Sequence, residues 1–221
     1  TNALGLLYDA VPEVNRAELL ESIIHPPKSM VKAGSPFSLF YVLELLAKEN
    51  RHEEIMEIVR NGWKPMLDKG ATTFWETFPG YERDWWSRSH CHAWSAAPTY
   101  FLSTYQLGVQ PIEPGFTRFR IAPKPVDLQW CQGNFPTPLG VVPVSWNKRD
   151  EGFELKTQIP ANSTAEIIIP VPPIPYGVIR VNGQPVAPDQ LPAGIESLSA
   201  TQEGWKWVVQ GPMSLQIETR K

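Results

Sequence analysis

The fold of this chain is decided at residues 107–121, LGVQPIEPGFTRFRI, where one kind of hydrophobic spacing gives way to another. Before this stretch, apolar residues recur every three or four positions, as they do on one face of an α-helix. Within it, Phe119 and Ile121 alternate with two arginines, which is the two-residue period of a half-buried β-strand. The sequence therefore predicts a multi-domain α and β protein, helical over residues 1–110 and β over residues 111–221.

The distribution of proline supports this division. Of the 23 prolines, seven precede residue 111 and sixteen lie from Pro111 onward, whereas all four histidines precede it. Short alternating runs punctuated by proline and glycine are typical of an antiparallel β-sandwich. Asn182-Gly183 is a favourable hairpin turn. The predicted strands lie at residues 117–121, 153–159, 165–169, 178–181, 205–209 and 214–218.

Several helices are predicted in the first half. Ser35 and Pro36 are residue types preferred at an N-cap and at the first helical position, because serine accepts a hydrogen bond from an unpaired N–H and proline lacks that N–H. Gly108 suits a helix C-cap. The predicted helices lie within residues 1–10, at 13–24, from 36 onward, at 51–66 and at 98–107.

Composition excludes several classes of protein. A net charge of -3 argues against a nucleic-acid partner, and apolar runs are too short for a membrane span. Two cysteines, Cys91 and Cys131, exclude a disulfide-rich scaffold and leave a single bridge open. Nine tryptophans offer flat faces that suit sugars, although burial is their commoner role.

Residues 70–89 break the helical period and are crowded with aromatic and polar side chains, which indicates a functional loop. The run GATTFWETF places Glu76 among three aromatic rings. Glycosidic cleavage needs one carboxyl group to protonate the leaving oxygen and another to activate water or attack the anomeric carbon. Glu76 is a candidate for one of them, with Trp75 as a wall for the sugar. A structural ion pair with Arg83 or Arg88 is the open alternative.

Other polar and aromatic residues surround this candidate. The Thr72 and Thr73 hydroxyls are expected to orient the carboxylate by hydrogen bonds. Trp85 and Trp86 are candidates for lining a pocket, with packing equally open. His90-Cys91-His92 resembles part of a metal site, but a third ligand is not evident. A histidine contact to a sugar hydroxyl or a structural hydrogen bond is favoured instead.

Four motifs occur in a recognisable order: Trp63-x-x-Met66, Gly70-Ala-Thr-Thr-Phe-Trp-Glu76, Ser89-x-x-His92 and Thr137-Pro-x-Gly140-x-Val-x-Val-x-Trp146. They resemble the bacterial α-L-rhamnosidases, glycoside hydrolase family 78, and the resemblance covers nearly the whole chain. It implies that residues 1–110 are the last helices of an (α/α)6 six-hairpin toroid and that residues 111–221 are a C-terminal β-sandwich.

The resemblance also implies an inverting mechanism with two carboxyl groups. Glu76 matches the general base, and Trp75, Trp85, Trp86 and His92 are the implied substrate contacts. The family's general acid belongs to an earlier part of the helical domain. That upstream half is therefore the expected partner, and the chain alone is expected to be inactive.

The implied substrate is a carbohydrate, a terminal α-L-rhamnoside, with no cofactor, metal, nucleic acid or membrane. Another sugar on the same architecture is the first alternative, because one fold serves many activities. A non-catalytic sugar-binding or structural fragment is the second. Localisation stays open between the bacterial cytoplasm and the periplasm or exterior.

Overall fold

The computed structural model describes residues 2–31, 34–79, 87–150, 152–170 and 178–220. Contacts between residues divide the chain into two compact units, Thr1–Phe101 and Leu102–Lys221. The first unit is helical and the second consists of two β-sheets. The predicted domain boundary between residues 110 and 111 stays a prediction.

The helical unit contains the helices that the sequence predicts. They are α1 (Asn2–Leu7), α2 (Glu13–Ile24), α3 (Pro36–Lys48), α4 (His52–Asp68) and α5 (Ala97–Phe101), with a single 3-10 turn at Ala93–Ser95. A π-helical turn at Leu102–Gln106 continues from α5 and belongs to the second unit. The observed bounds of α2 coincide with the prediction, and α4 extends two residues past the predicted Met66.

Helix α3 begins where its capping residues require. The Ser35 hydroxyl accepts a hydrogen bond from the backbone N–H of Ser38 at 3.3 Å, and the Ser38 hydroxyl in turn accepts from the N–H of Ser35. The helix then buries Leu43, Leu45 and Leu46 completely. Burying a leucine contributes about 1.5–3 kcal/mol, so α3 is the packing centre of this unit.

Helix α2 is held by charge instead of burial. Its residues are all described and none is buried. Arg16 forms ion pairs with Glu49 at 3.0 Å and with Asp9 at 3.0 Å, while Glu21 pairs with Arg51 at 2.9 Å. Partly exposed pairs of this kind contribute at most about 1 kcal/mol each.

The second unit is built from eleven strands in the described residues. They are β1 (Val109–Pro111), β2 (Arg118–Ile121), β3 (Trp130–Thr137), β4 (Gly140–Arg149), β5 (Gly152–Ile159), β6 (Thr164–Ile169), β7 (Val178–Val181), β8 (Gln184–Pro185), β9 (Ile195–Thr201), β10 (Gly204–Gln210) and β11 (Met213–Arg220). One sheet has the order β1-β2-β6-β10-β9 and the other has the order β3-β4-β5-β11-β7-β8. A continuous apolar core lined by both sheets confirms a β-sandwich.

Two tryptophans are sealed in this core. Trp207 is fully buried, and Trp146 stacks on Phe153 with ring centroids 5.6 Å apart. The indole N–H of Trp146 donates to the carbonyl oxygen of Gln106 at 2.8 Å, which satisfies a buried donor. Gly108 follows the π-helical turn that ends at Gln106 and has a φ of +93. A Cβ at this position would lie 2.5 Å from the backbone nitrogen of Pro123.

The six predicted strands are present, but the all-antiparallel expectation is wrong at one pair. Strands β2 and β6 run parallel, with Phe119 opposite Ala165. The reason is topological: after β2 the chain builds β3, β4 and β5 in the other sheet and then returns to the first sheet as β6. The Asn182-Gly183 turn is confirmed, since it joins β7 to β8 with positive φ at both residues.

The cysteines do not form the single bridge that the sequence left open. Cys91 is exposed and Cys131 is half-buried, and both are free thiols. Burial raises the pKa of the Cys131 thiol. In the described part of the chain, no helix is long and apolar enough to cross a membrane.

Candidate functional site

The candidate site lies where two irregular segments of the helical unit pair with each other. The backbone N–H of Glu76 donates to the carbonyl oxygen of Ser89 at 2.9 Å, and that of His92 donates to Phe74 at 2.8 Å. The two segments therefore run antiparallel over a few residues. This pairing brings together side chains that are sixteen positions apart in the sequence, those of Glu76 and His92.

The carboxylate and the imidazole face each other. Glu76 Oε2 lies 3.7 Å from His92 Nδ1, which is too long for a hydrogen bond. The Glu76 side chain is 17% exposed and that of His92 is 32% exposed. Both groups therefore keep a face open to solvent, as groups that exchange protons with a bound molecule require.

Trp63 of helix α4 contacts both segments. The Trp63 indole N–H donates to the carbonyl oxygen of Ser95 at 2.7 Å, just beyond His92. Its ring also meets Phe78 edge-on, with centroids 5.0 Å apart, just beyond Glu76. Gly62 permits this contact, because a Cβ there would lie 3.0 Å from the Phe78 ring. One buried side chain thus fixes both sides of the site.

A pair of buried hydroxyl groups, which the sequence analysis missed, links the same two segments. Ser87 Oγ accepts from the backbone N–H and the hydroxyl of Thr77, both at 3.2 Å, and donates to the carbonyl oxygen of Ser89 at 3.2 Å. A serine within a loop gives no periodic signal. Its importance follows only from burial.

Not all residues predicted to surround Glu76 take the roles that the sequence analysis gave them. Trp75 is only 7% exposed and stacks on His90 with centroids 4.5 Å apart, so little of its ring is open in this chain. The Thr73 hydroxyl donates to the carbonyl oxygen of His90 and not to the carboxylate, which corrects its expected role. Trp85, Trp86 and the alternative ion-pair partner Arg83 lie outside the described residues.

A metal site does not emerge from the His90-Cys91-His92 run. Across the residues that the structure describes, no three His, Cys, Asp or Glu side chains are arranged to hold a metal ion. His90 instead packs on Trp75, and the ring of His92 lies 4.3 Å from that of Trp94. The histidine rings are therefore part of an aromatic surface beside the carboxylate.

Comparison with protein families assigns both units. Residues 1–105 match the family described as the bacterial alpha-L-rhamnosidase 6 hairpin glycosidase domain, and residues 108–182 match the bacterial alpha-L-rhamnosidase C-terminal domain. The class defined by the helical unit and the sandwich is therefore that of six-hairpin glycosidases with an appended β domain. Within that class, the chain belongs to the bacterial α-L-rhamnosidases, glycoside hydrolase family 78.

Individual relatives agree with this assignment. The alpha-L-rhamnosidase of Alteromonas sp. (strain LOR) is 28% identical over 190 residues, which is 80% of this chain and 20% of the relative. The GH78 rhamnosidase of Bacillus sp. GL1 is 36% identical, with a TM-score of 0.61 over 66% of this chain and 16% of that one. The Streptomyces avermitilis alpha-L-rhamnosidase complexed with L-rhamnose has a TM-score of 0.77 at 20% identity, over 98% of this chain and 21% of that one, and shows a shared fold. The chain thus spans about a fifth of the length of these relatives.

Proposed function

We propose that this chain forms the base-bearing part of an enzyme that hydrolyses terminal α-L-rhamnosides with inversion at the anomeric carbon. Glu76 acts as the general base, and His92 acts as a substrate contact together with Trp85 and Trp86. Trp75 reaches the sugar only by the edge that its stacking on His90 leaves exposed. The observation that carries the proposal is the partly exposed carboxylate of Glu76 facing His92 at 3.7 Å. The family membership of both units supports the choice of substrate.

Each group has a specific task in this mechanism. An inverting glycosidase holds a water molecule on the face of the sugar opposite the leaving group, and a carboxylate removes its proton as the water attacks. The ionised form of Glu76 accepts that proton. His92, whose Nδ1 lies 3.7 Å from the carboxylate, binds a sugar hydroxyl or the attacking water beside it.

The general acid is proposed to lie in sequence that precedes the matched helices in the longer relatives. This chain spans about a fifth of their length, so the remaining helices of the proposed (α/α)6 toroid are the expected source. The 221 residues alone are then inactive, because a base without an acid leaves the glycosidic oxygen unprotonated.

The decisive experiment replaces Glu76 with Gln in the full-length protein and measures hydrolysis of an aryl α-L-rhamnoside. General-base catalysis contributes about 10²- to 10⁴-fold, so kcat falls by that factor while KM changes little. Glu57→Gln is the matched control, since Glu57 is an exposed carboxylate on α4. Unchanged turnover in Glu76→Gln would eliminate the assignment of the base.

Stereochemistry tests the mechanism separately. Proton NMR of the wild-type reaction should show β-L-rhamnose as the first anomer released from an α-linked substrate. Initial release of the α anomer would instead require a covalent intermediate, and Glu76 would then be a nucleophile.

A further inference from the structure

Trp130 lies on a face of the β-sandwich that points away from the core. Successive side chains of a strand point to opposite faces of the sheet. Along β3, Cys131 and Phe135 pack against the core, whereas Trp130 is 62% exposed. Strand β3 is also the first in the order of its sheet, so among the described residues only β4 borders it. A large flat ring is therefore open at the edge of this outer face.

The nearest neighbours of this ring on the outer face carry amide or hydroxyl groups. The register of β3 and β4 places Trp130 opposite Asn147 and Gln132 opposite Ser145. Directly opposite residues have Cβ atoms about 4.5–5.5 Å apart, and alternate residues of one strand lie about 7 Å apart. Asn134 continues the same face along β3. We call these four neutral side chains the polar row beside Trp130.

The polar row has hydrogen-bonding groups left over for a ligand. Within the described ranges, its side chains form no hydrogen bond or ion pair with another residue; they are Gln132, Asn134, Ser145 and Asn147. An amide provides both donors and an acceptor, and a hydroxyl group can also donate and accept. Sugar hydroxyl groups do the same, so the polar row matches them in both directions.

The charged groups next to the polar row are already paired. Glu154 of β5 forms ion pairs with Arg149 at 2.9 Å and with Lys156 at 2.9 Å. The amide of Gln216 donates to Glu154 at 2.9 Å and to Glu218 at 2.6 Å, so two carboxylates balance the two cations. This surface therefore favours an uncharged partner. The centre of a protein interface is mostly apolar, whereas this ring has amides and a hydroxyl around it.

We propose that Trp130 and the polar row form a non-catalytic carbohydrate-binding surface that takes a neutral pyranose unit of a glycan. The C–H groups on one face of a pyranose carry partial positive charge and stack on the negative face of the indole. The polar row then binds hydroxyl groups of the same sugar or of the next one. Because hydrogen-bonded strands hold these residues, binding orders little of the backbone. The inference goes beyond the proposed function, since it involves neither Glu76 nor a rhamnose residue.

The test measures retardation of the full-length protein in native gels that contain arabinogalactan, glucomannan or xyloglucan, three soluble neutral glycans that are not built on rhamnose. At least one of them should retard the wild type. Trp130→Ala should raise the apparent Kd for that glycan by at least about 10-fold, because a ring covered by the ligand carries a large share of the binding energy. Trp130→Phe, which keeps a flat ring, should restore part of the affinity. Asn147→Ala should raise the Kd by roughly 2- to 10-fold through lost hydrogen bonds.

Two further variants make the result specific. Tyr8→Ala removes an exposed ring from the helical unit and should leave the Kd unchanged. Glu76→Gln should be retarded as strongly as the wild type, and full turnover in that variant would overturn the proposed base while leaving this inference intact. A wild type that none of the three glycans retards, or equal retardation of the wild type and Trp130→Ala, would overturn the inference. If the wild type is not retarded and Trp130→Ala also melts lower, another part of the polypeptide covers the ring.

Discussion

The β-sandwich seals two of its tryptophans inside and exposes Trp130, whereas the helical unit keeps several aromatic rings half exposed. Trp207 and Trp146 are sealed between the two sheets. Trp94, Phe37 and Tyr100 of the helical unit are all roughly half exposed. The difference shows that aromatic content alone does not indicate role: Trp146 and Trp207 pack the core of the sandwich, whereas Trp94 lies at the surface beside His92.

The two units also differ in the surroundings of a shielded carboxylate. In the sandwich, Glu166 is surrounded by cations, with Lys206 Nζ at 2.7 Å, the guanidinium of Arg118 on the other oxygen and Arg120 at 3.9 Å. In the helical unit, Glu44 has one oxygen buried without a hydrogen-bond partner among the described residues. Their pKa values accordingly shift in opposite directions.

The largest expected contrast is between Trp207→Ala and Trp94→Ala. Trp207 is 0% exposed, so its truncation leaves a cavity and costs about 3–5 kcal/mol of the sandwich's free energy of unfolding. Trp94→Ala loses part of one ring contact and costs about 1 kcal/mol in the helical unit. Guanidinium unfolding followed by peptide-resolved hydrogen exchange reports each unit separately. Trp130→Ala, on an exposed position of β3, is the control within the sandwich. Equal losses of unfolding free energy in Trp207→Ala and Trp94→Ala would contradict this prediction.

The second prediction concerns Glu166→Gln in the sandwich. Burial by itself would raise the pKa of Glu166, but hydrogen bonds and charge from Lys206 and Arg118 outweigh it and leave the pKa below its ordinary value of 4.5. The stabilisation is therefore complete above pH 4.5 and is lost as pH falls through the lower folded-state pKa. At pH 7 the variant should lose about 2 kcal/mol, and the difference from wild type should shrink below pH 4.5.

An exposed ion pair serves as the control for the charge cluster around Glu166. Glu203→Gln removes the carboxylate of an exposed pair with Lys124 and should change stability by less than about 1 kcal/mol at any pH. The free energies of unfolding of Glu166→Gln and wild type could instead differ by a constant amount from pH 7 to pH 3. The charge cluster around Glu166 would then not be the origin of the pH dependence.

The smallest expected effect is a gain in stability from Glu44→Gln in the helical unit. Burial raises the pKa of Glu44 above 4.5, and the hydrogen bond from Tyr100 opposes this only in part. Ionisation therefore costs stability as pH rises through 4.5 and the raised folded-state pKa. The variant should melt higher than wild type at pH 7 and equally at pH 3.5, as followed by circular dichroism. Glu57→Gln, at an exposed position, should show no such gain, and a destabilised Glu44→Gln would contradict the assigned cause.

Local patterns predicted the elements whose determinants are close in sequence. The limits of α2 and the start of α3 follow from helical spacing and from Ser35 and Pro36. Five strands were not predicted: β1, β3, β4, β8 and β9. The pattern of β3 is weak. β3 contains a glycine and a proline, Gly133 and Pro136, and its residues are all at least partly exposed.

The candidate site was predicted in its residues but not in its geometry. The family motifs singled out Glu76 and His92, yet nothing in the sequence gives the pairing of Glu76 with Ser89 that brings them together. The burial of Ser87 and Trp75 likewise depends on contacts between the two segments. Hydrogen bonds across a loop of this length have no local signature.

The sequence by itself determined the change from helices to strands, the capped start of α3 and the hairpin at Asn182-Gly183, because each depends on residue types within a short span. It also determined the family of the chain, through the order of motifs along it. Only the tertiary structure decided that β2 pairs in parallel with β6, that Glu76 lies 3.7 Å from His92, and that Trp94 stays half exposed while Trp207 is sealed. These features depend on contacts between residues far apart in the chain, and burial and distance exist only once those contacts have formed.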